Sequence, residues 1–271
     1  MYEAYWQLNE KPFESGTDPR FYFPGESHQA ALLKLRYAIE NRRGGALLSG
    51  PAGSGKTLLA QLLRDMSHDS LRPMVHLVFP QMSTAELLGY LAGELDGGPP
   101  ESAGVQHSVR RVEQFLAENA QRGQHAVIVV DEAHLIDEHA TLEALRLLMN
   151  FQVQNQPALT LLLVGQPGIL PTLQRTPQLE ERLAVKCLLR PFTLSETAEY
   201  VAHRLKTAGA TQSIIPNEAM STLHELTHGI ARRINRLCDL ALLIGFAEER
   251  KMLSAAHFEA VADELVAVKP E

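Results

Sequence analysis

The residues that most constrain this chain form a glycine-rich run that fits G-x-x-x-x-G-K-[ST], namely Gly50, Pro51, Ala52, Gly53, Ser54, Gly55, Lys56 and Thr57. An apolar segment of strand length precedes the run, and a helical pattern begins at Leu58. In this context backbone N–H groups and a helix N-terminus point at phosphate oxygens. We therefore predict that residues 50–58 bind ATP, with Lys56 on the β- and γ-phosphates and Thr57 on Mg²⁺. A strand–helix turn that binds nothing is the alternative, but it gives no reason for the lysine.

A second candidate site is an acidic pair, Asp131 and Glu132, directly after the apolar segment 126–130. Ligands of open parallel sheets bind at the carboxyl ends of the strands. We expect Asp131 to hold Mg²⁺ and Glu132 to orient and polarise the attacking water. Taken alone, the pair could be an ordinary polar strand end. His134 is expected to be a polar residue at a helix entrance rather than a coupling residue.

The spacing of apolar residues predicts an α/β fold with a five-stranded parallel sheet between helices. The strands are expected at residues 46–49, 74–79, 126–130, 159–164 and 184–189. The helices between and before them are expected at residues 26–41, 58–67, 85–95, 108–122 and 142–154. After Pro191 only helical patterns follow, at residues 195–208, 217–227, 230–249 and 254–266.

These patterns divide the chain into three parts: an irregular, aromatic-rich arm (1–25), an ATPase core (26–191) and a smaller all-helical lid domain (192–271).

Cys187 and Cys238 lie in apolar stretches without metal-site spacing, so both are predicted to be buried free thiols. The first residues show neither the basic region nor the apolar region typical of a signal peptide, and no apolar run approaches the roughly 18 residues of a membrane span. We expect a cytoplasmic protein without direct membrane insertion.

Further motifs resemble the AAA+ ATPases, and more narrowly the general secretion pathway protein A group with its relatives in pilus biogenesis and transposon target selection. The resemblance covers nearly the whole chain. The matching residues are Tyr5-Trp6-Gln7-Leu8-Asn9-Glu10-Lys11-Pro12-Phe13, Asp18-Pro19-Arg20-Phe21, Glu26-Ser27-His28, Leu163-Val164-Gly165-Gln166-Pro167, Leu179-Glu180-Glu181-Arg182-Leu183 and Gly229-Ile230-Ala231-Arg232-Arg233-Ile234-Asn235-Arg236-Leu237-Cys238-Asp239.

This resemblance implies roles for three more residues. Gln166 occupies the sensor-1 position, which contacts the γ-phosphate or the lytic water. Arg182 occupies the position of an arginine finger that reaches a neighbour's nucleotide, which implies a homo-oligomer in the form of a ring or filament. Arg232 matches sensor 2, which reports the nucleotide state through the lid. The ordinary alternatives are a strand-end amide, a solvated helix charge and a surface ion pair, respectively.

The sequence is compatible with three functions. The first is an ATPase that drives assembly of a secretion or pilus-type apparatus with protein partners. The second is an ATP-dependent, DNA-binding regulator of transposition target selection; because the net charge is −7, it would need a local basic patch. The third is a nucleotide-gated interaction module that hydrolyses poorly, which an intact Glu132 disfavours. The candidate DNA contacts are Arg42, Arg43, Arg110, Arg111, Arg232, Arg233 and Arg236.

Overall fold

The computed structural model describes residues 1–14, 16–99 and 104–267. The chain divides into two compact units. The first, which we call the sheet unit, consists of Ser27–Gly50 and Leu59–Leu189. The second, which we call the helical unit, consists of Met1–Glu26, Pro51–Leu58 and Arg190–Glu271. Residue 15 of the predicted arm and residues 268–271 of the predicted lid lie outside the described part.

The sheet unit contains the five parallel strands that the sequence predicts. They are β1 Gly45–Ser49, β2 Met74–Leu77, β3 Ala126–Val130, β6 Leu159–Gly165 and β7 Leu183–Leu188. Their order in the sheet is β2-β3-β6-β1-β7. Each strand therefore has neighbours that are distant in sequence, as expected when helices connect parallel strands.

Helices alternate with these strands, which confirms the predicted α/β fold class. They are α1 Glu26–Glu40, α2 Lys56–Met66, α3 Thr84–Asp96, α4 Val105–Gln121, α5 His139–Leu148, α6 Ile169–Gln174 and α7 Pro177–Glu180. A short 3-10 turn, Ala133–Leu135, precedes α5.

Helix α3 shows how the local sequence sets a boundary. The hydroxyl of Ser83 accepts the N–H of Glu86, and the carboxylate of Glu86 accepts the N–H of Ser83 in return.

Alternate residues of the central strands enter two separate hydrophobic cores. In β3, the side chains of Ile128 and Val130 join residues of α3, α4 and α5, whereas Val127 and Val129 join residues of α1 and α2. All four are at most 2% exposed. Burial of one such side chain contributes about 1.5–3 kcal/mol, so the two cores hold the strand ends firmly in place.

The predicted helix at residues 142–154 is wrong in its second half. Helix α5 ends at Leu148, and β4 Gln152–Val153 pairs with β5 Gln156–Pro157 in a small antiparallel hairpin. Gln154 and Asn155, which connect the two strands, have φ angles of 52° and 62°. Two successive residues in the left-handed region make a tight turn suited to paired strands, and this turn ends the helical periodicity.

The helical unit contains the aromatic arm and four longer helices. The helices are α8 Leu194–Thr207, α9 Met220–Thr227, α10 Ala231–Ala247 and α11 Ala255–Ala267. Tyr2, Trp6 and Phe13 of the arm are buried in the same core as these helices, and the indole N–H of Trp6 donates to the carbonyl of Leu242 at 2.9 Å. The arm is irregular, as predicted, except for a 3-10 turn at Pro19–Phe21.

Both cysteines are free and buried, which confirms the prediction for Cys187 and Cys238. Burial raises the pKa of each thiol above its ordinary value, so neither forms a reactive thiolate readily. Among the described residues, no helix has both the length and the apolar composition that crossing a bilayer requires.

Candidate functional site

Three strand ends lie side by side at one edge of the sheet. The N–H of Gly50, just after β1, donates to the carbonyl of Gly165 at the end of β6, at 3.2 Å. The N–H of Asp131, just after β3, donates to the carbonyl of Leu77 at the end of β2, at 2.8 Å. Because β6 lies between β1 and β3, the chain leaves the sheet at Gly50, Asp131 and Gln166 along the same edge, where open parallel sheets bind ligands.

The glycine-rich loop Pro51–Leu58 follows Gly50 directly and belongs to the helical unit. Gly53 and Gly55 have φ angles of +77° and +91°, a backbone conformation that favours glycine. Lys56, the first residue of α2, is only 6% exposed, and its Nζ donates to the carbonyl of Pro51 at 3.0 Å. The ammonium group therefore lies against the loop's own main chain.

The loop packs against the start of α10 within the helical unit. The N–H of Arg232 donates to the carbonyl of Gly53 at 3.1 Å. A Cβ on Gly53 would lie 2.6 Å from the Cβ of Arg232, which is closer than two side chains can approach. The guanidinium of Arg232 is exposed. The residue expected at sensor 2 thus adjoins the loop through its backbone.

The acidic pair follows β3 in the sheet unit. Asp131 is 2% exposed, its Oδ1 accepts the N–H of Glu132 at 2.8 Å, and its Oδ2 lies 3.3 Å from Nε2 of His76 on β2. Glu132 has a φ of 51°, which is uncommon for a residue with a side chain and is typical of functional sites. Its side chain is 41% exposed. Asp131 is held by these contacts, whereas the Glu132 side chain is partly exposed and its Oε2 is buried.

Gln166 adjoins the acidic pair through a histidine. Its N–H donates to Nδ1 of His134 at 3.3 Å, and the same nitrogen is 3.3 Å from Oε2 of Glu132. The sheet unit thus brings Asp131, Glu132 and Gln166 to one place, and it adds His76 and His134 to them.

Arg182 lies at the amino ends of the strands, whereas Asp131, Glu132 and Gln166 lie at the carboxyl ends. It precedes β7, whose first residue, Leu183, pairs with Gly45 at the amino end of β1. With a rise of about 3.3 Å per residue, the five residues of β1 separate the amino ends of the strands from the carboxyl ends by roughly 13 Å. The side chain of Arg182 is exposed. Within one sheet unit, therefore, Arg182 does not join Asp131 and Glu132.

Sequence reasoning missed the contacts of His76 and His134. His76 is a titratable residue inside an apolar strand, a signal that could have drawn attention to it. The register of β2 against β3 decides its partner, and pairing of non-local strands is not readable from a single segment. His134 was expected to be only a polar residue at a helix entrance.

Part of the sequence matches a known protein family. Residues 39–173 match the family model described as AAA domain. The full chain is 30% identical over 275 residues to general secretion pathway protein A of Aeromonas hydrophila, and it spans 50% of that relative's length.

Two of the solved structures with a similar fold illustrate the likeness to this chain. The Aeropyrum pernix ORC2 protein, in complexes with ADPNP and ADP, has a TM-score of 0.71 and 15% identity; 94% of this chain and 72% of that chain are covered. Drosophila ORC bound to DNA has a TM-score of 0.71 and 17% identity; 96% of this chain and 66% of that chain are covered. At these identities the two structures establish the fold alone.

Proposed function

This chain belongs to the AAA+ family of P-loop ATPases, and on that premise we propose that it binds ATP with Mg²⁺ and hydrolyses the nucleotide to ADP and phosphate. The observation that carries the proposal is the loop after β1. Its Gly53 and Gly55 have positive φ angles, and its buried Lys56 donates from the ammonium group to the carbonyl of Pro51 at 3.0 Å. Such a loop offers N–H donors and one positive charge to a phosphate chain.

The available donor groups fit a magnesium nucleotide. Mg²⁺ prefers oxygen ligands and is usually held by one or two protein side chains together with phosphate oxygens. The hydroxyl of Thr57 and the carboxylate of Asp131 are ligands of this kind, and His76 orients Asp131 from 3.3 Å. Bound Mg²⁺ supplies positive charge that offsets the negative charge of the β- and γ-phosphates.

In the proposed reaction Glu132 acts on the attacking water. The water oxygen forms a bond to the γ-phosphorus, and the bond from that phosphorus to the β–γ bridging oxygen breaks. The carboxylate of Glu132 accepts the proton that the water loses. Gln166, at the end of β6 on the same edge of the sheet, is suited to contact the γ-phosphate or the water. Lys56 steadies the charge on the departing β-phosphate.

The position of Arg182 favours a site shared between two chains. Its side chain lies at the edge of the sheet opposite to Asp131 and Glu132. We propose that it reaches the nucleotide of a neighbouring copy, where an arginine finger is worth about 10³–10⁵ in rate. Repetition of this contact gives a ring if the rotation closes and a filament if it does not.

Arg232 is proposed as the sensor of nucleotide state. Its backbone N–H already binds the loop at Gly53, while its guanidinium is exposed. A charge placed there can follow the γ-phosphate, and α10 would transmit its movement to the rest of the helical unit.

As the biological role we propose assembly of a secretion or pilus-type apparatus, with protein partners, on the cytoplasmic side. The support is the 30% identity to general secretion pathway protein A, which extends over the whole of this chain. Because the chain spans about half of that relative, partners and client are inferred from the family relationship alone.

Regulation of transposition through DNA is the second candidate, and exposed arginines on one helix favour it. Arg233 and Arg236 are exposed on α10, and among the described residues neither forms an ion pair. Other candidate contacts are engaged within the protein: Arg43 donates to the hydroxyl of Tyr37 at 2.9 Å, and Arg111 donates to Asp96 at 2.6 Å. Helix α10 is thus the surface through which DNA would bind.

Titration calorimetry with ATP in magnesium buffer tests the central proposal. Wild-type protein is expected to bind ATP, and Lys56→Ala is expected to lose binding because the charge contact to phosphate is deleted. No heat of binding for folded wild-type protein would refute the proposed function.

The two roles differ in their response to DNA. A DNA regulator should hydrolyse ATP faster with duplex DNA and lose DNA binding steeply as salt rises. Arg233→Ala with Arg236→Ala should abolish that response. If DNA at low salt changes neither the rate nor the assembly, the transposition role is wrong and the secretion role stands.

A further inference from the structure

One ring nitrogen of His134, in the sheet unit, lies close to two groups of the proposed active site. Nδ1 of His134 lies 3.3 Å from Oε2 of Glu132 and 3.3 Å from the backbone nitrogen of Gln166. The imidazole side chain is only 15% exposed. Close packing against β6 fixes its place, since a Cβ on Gly165 would lie 3.2 Å from the backbone nitrogen of His134 and 3.5 Å from Nδ1. The glycine at position 165 permits this approach.

The two contacts require opposite states of that nitrogen. The N–H of Gln166 can only donate, so it needs a lone pair on Nδ1, whereas the ionised carboxylate of Glu132 can only accept, so it needs a proton there. One nitrogen cannot satisfy both at the same time. In the structure Gln166 makes the hydrogen bond. Oε2 of Glu132 is buried, and within the described part of the chain it has no hydrogen-bond partner.

The ring therefore links the position of the Gln166 backbone to the orientation of the Glu132 carboxylate. While the N–H of Gln166 donates to Nδ1, that nitrogen cannot donate to Oε2 of Glu132, which lies 3.3 Å away. When Gln166 moves away, the tautomer with hydrogen on Nδ1 can donate to Oε2 and hold the carboxylate in a different orientation.

We propose that His134 is a positioning residue for hydrolysis, which makes the orientation of the Glu132 carboxylate depend on the position of the Gln166 backbone. The inference rests on the proposed ATPase function and deepens it. Gln166 directly follows β6 and is the residue expected to meet the γ-phosphate, so the ring transmits the presence of that phosphate to the base that activates water. In this role His134 acts through its contacts with Glu132 and Gln166.

Three substitutions at position 134 separate this role from packing. Asparagine places a carbonyl oxygen close to the position of Nδ1, glutamine places its amide nearer that of Nε2, and alanine removes both. We expect His134→Ala to lower kcat by roughly 10–100-fold, the usual range for a residue that orients another, with KM for ATP nearly unchanged. His134→Asn should recover much of the rate, and His134→Gln should not. His139→Ala removes an exposed histidine at the start of α5 and should behave as wild type.

Nucleotide titration and thermal unfolding of each variant show whether the protein is folded and binds ATP. The inference is overturned if His134→Ala turns over at the wild-type rate, if Asn and Gln are as impaired as Ala, or if only KM or ATP binding changes. A folded wild-type protein that binds but never hydrolyses ATP refutes the ATPase proposal, and with it this inference. A working wild-type enzyme with an unaffected His134→Ala variant refutes the inference alone.

Discussion

The N–H of Arg232 donates to the carbonyl of Gly53 at 3.1 Å, so the first turn of α10 is tied to the glycine-rich loop by the main chain. This contact leaves no room for a side chain on Gly53, where a Cβ would lie 2.6 Å from the Cβ of Arg232. Movement of the loop and movement of α10 are therefore mechanically linked.

The first prediction concerns Gly53→Ala. The substitution places a side chain against Arg232 at a φ of +77°, so we expect ATP affinity to fall by more than about tenfold, equivalent to roughly 1.4 kcal/mol. Gly97→Ala is the matched control, because Gly97 has a φ of +70° but no atom within 4 Å of the added Cβ. Calorimetry should show normal binding for Gly97→Ala; equal losses in both variants would mean that a general loss of folding stability, not the contact between the loop and Arg232, is responsible.

The second prediction concerns Glu132→Gln. Glutamine keeps the shape of the side chain but cannot accept the proton of the attacking water, so ATP binding should persist while kcat falls by about 10²–10⁴-fold. Asp137→Asn, at an exposed acidic position five residues later, serves as the control and should leave kcat unchanged. Steady-state phosphate release measures both. Normal turnover by Glu132→Gln would show that another group activates the water.

The third prediction tests whether the site is shared between chains. Lys56→Ala and Arg182→Ala should each be inactive alone. Mixed together, the Arg182→Ala chain supplies an intact loop and the Lys56→Ala chain supplies an intact finger, so about a quarter of the interfaces in an equal mixture should be complete.

The matched control for this mixing experiment carries both substitutions in one chain and is mixed with Arg182→Ala. That mixture contains no intact finger, so it should remain inactive. If the mixture of single variants also fails to recover activity under conditions in which the chains co-assemble, Arg182 does not act on a neighbour.

The fourth prediction concerns stability at acid pH. His125 is 1% exposed, and burial lowers its pKa to about 4. The unfolded chain therefore binds a proton at this residue below about pH 6.5, while the folded chain does so only near pH 4, and stability falls as pH decreases across that window. The loss should approach about 3 kcal/mol. Denaturant unfolding at pH 7 and pH 4.5 should show a smaller decrease for His125→Gln than for wild type; equal decreases would contradict the assignment.

The sequence was sufficient for elements whose signals are local. Strand β3 was predicted at its observed bounds, because five consecutive apolar residues buried on both faces leave little ambiguity. Helix α2 was expected from Leu58 but begins at Lys56, so the end of the phosphate loop is already the first helical turn. The hairpin after α5 was missed because its helical spacing was clear, while the turn residues Gln154 and Asn155 are an unusual pair for such a turn.

Long-range relationships could not be obtained in this way. Asp131 and Glu132 were singled out by their position after a strand, but the neighbours of Asp131 depend on the register of β2 against β3. Likewise, the approach of His134 to Gln166 depends on β6 lying beside β3. These are consequences of tertiary packing, which a single sequence does not specify residue by residue.

The location of Arg182 at the far edge of the sheet has a consequence for how activity would scale with size. If each chain completes the site of the next one only, an open row of n chains contains n−1 working sites and one terminal nucleotide that is bound but not hydrolysed. Hydrolysis per chain would then rise with the length of the row, and the chain at one end would keep its nucleotide while the other positions turn over.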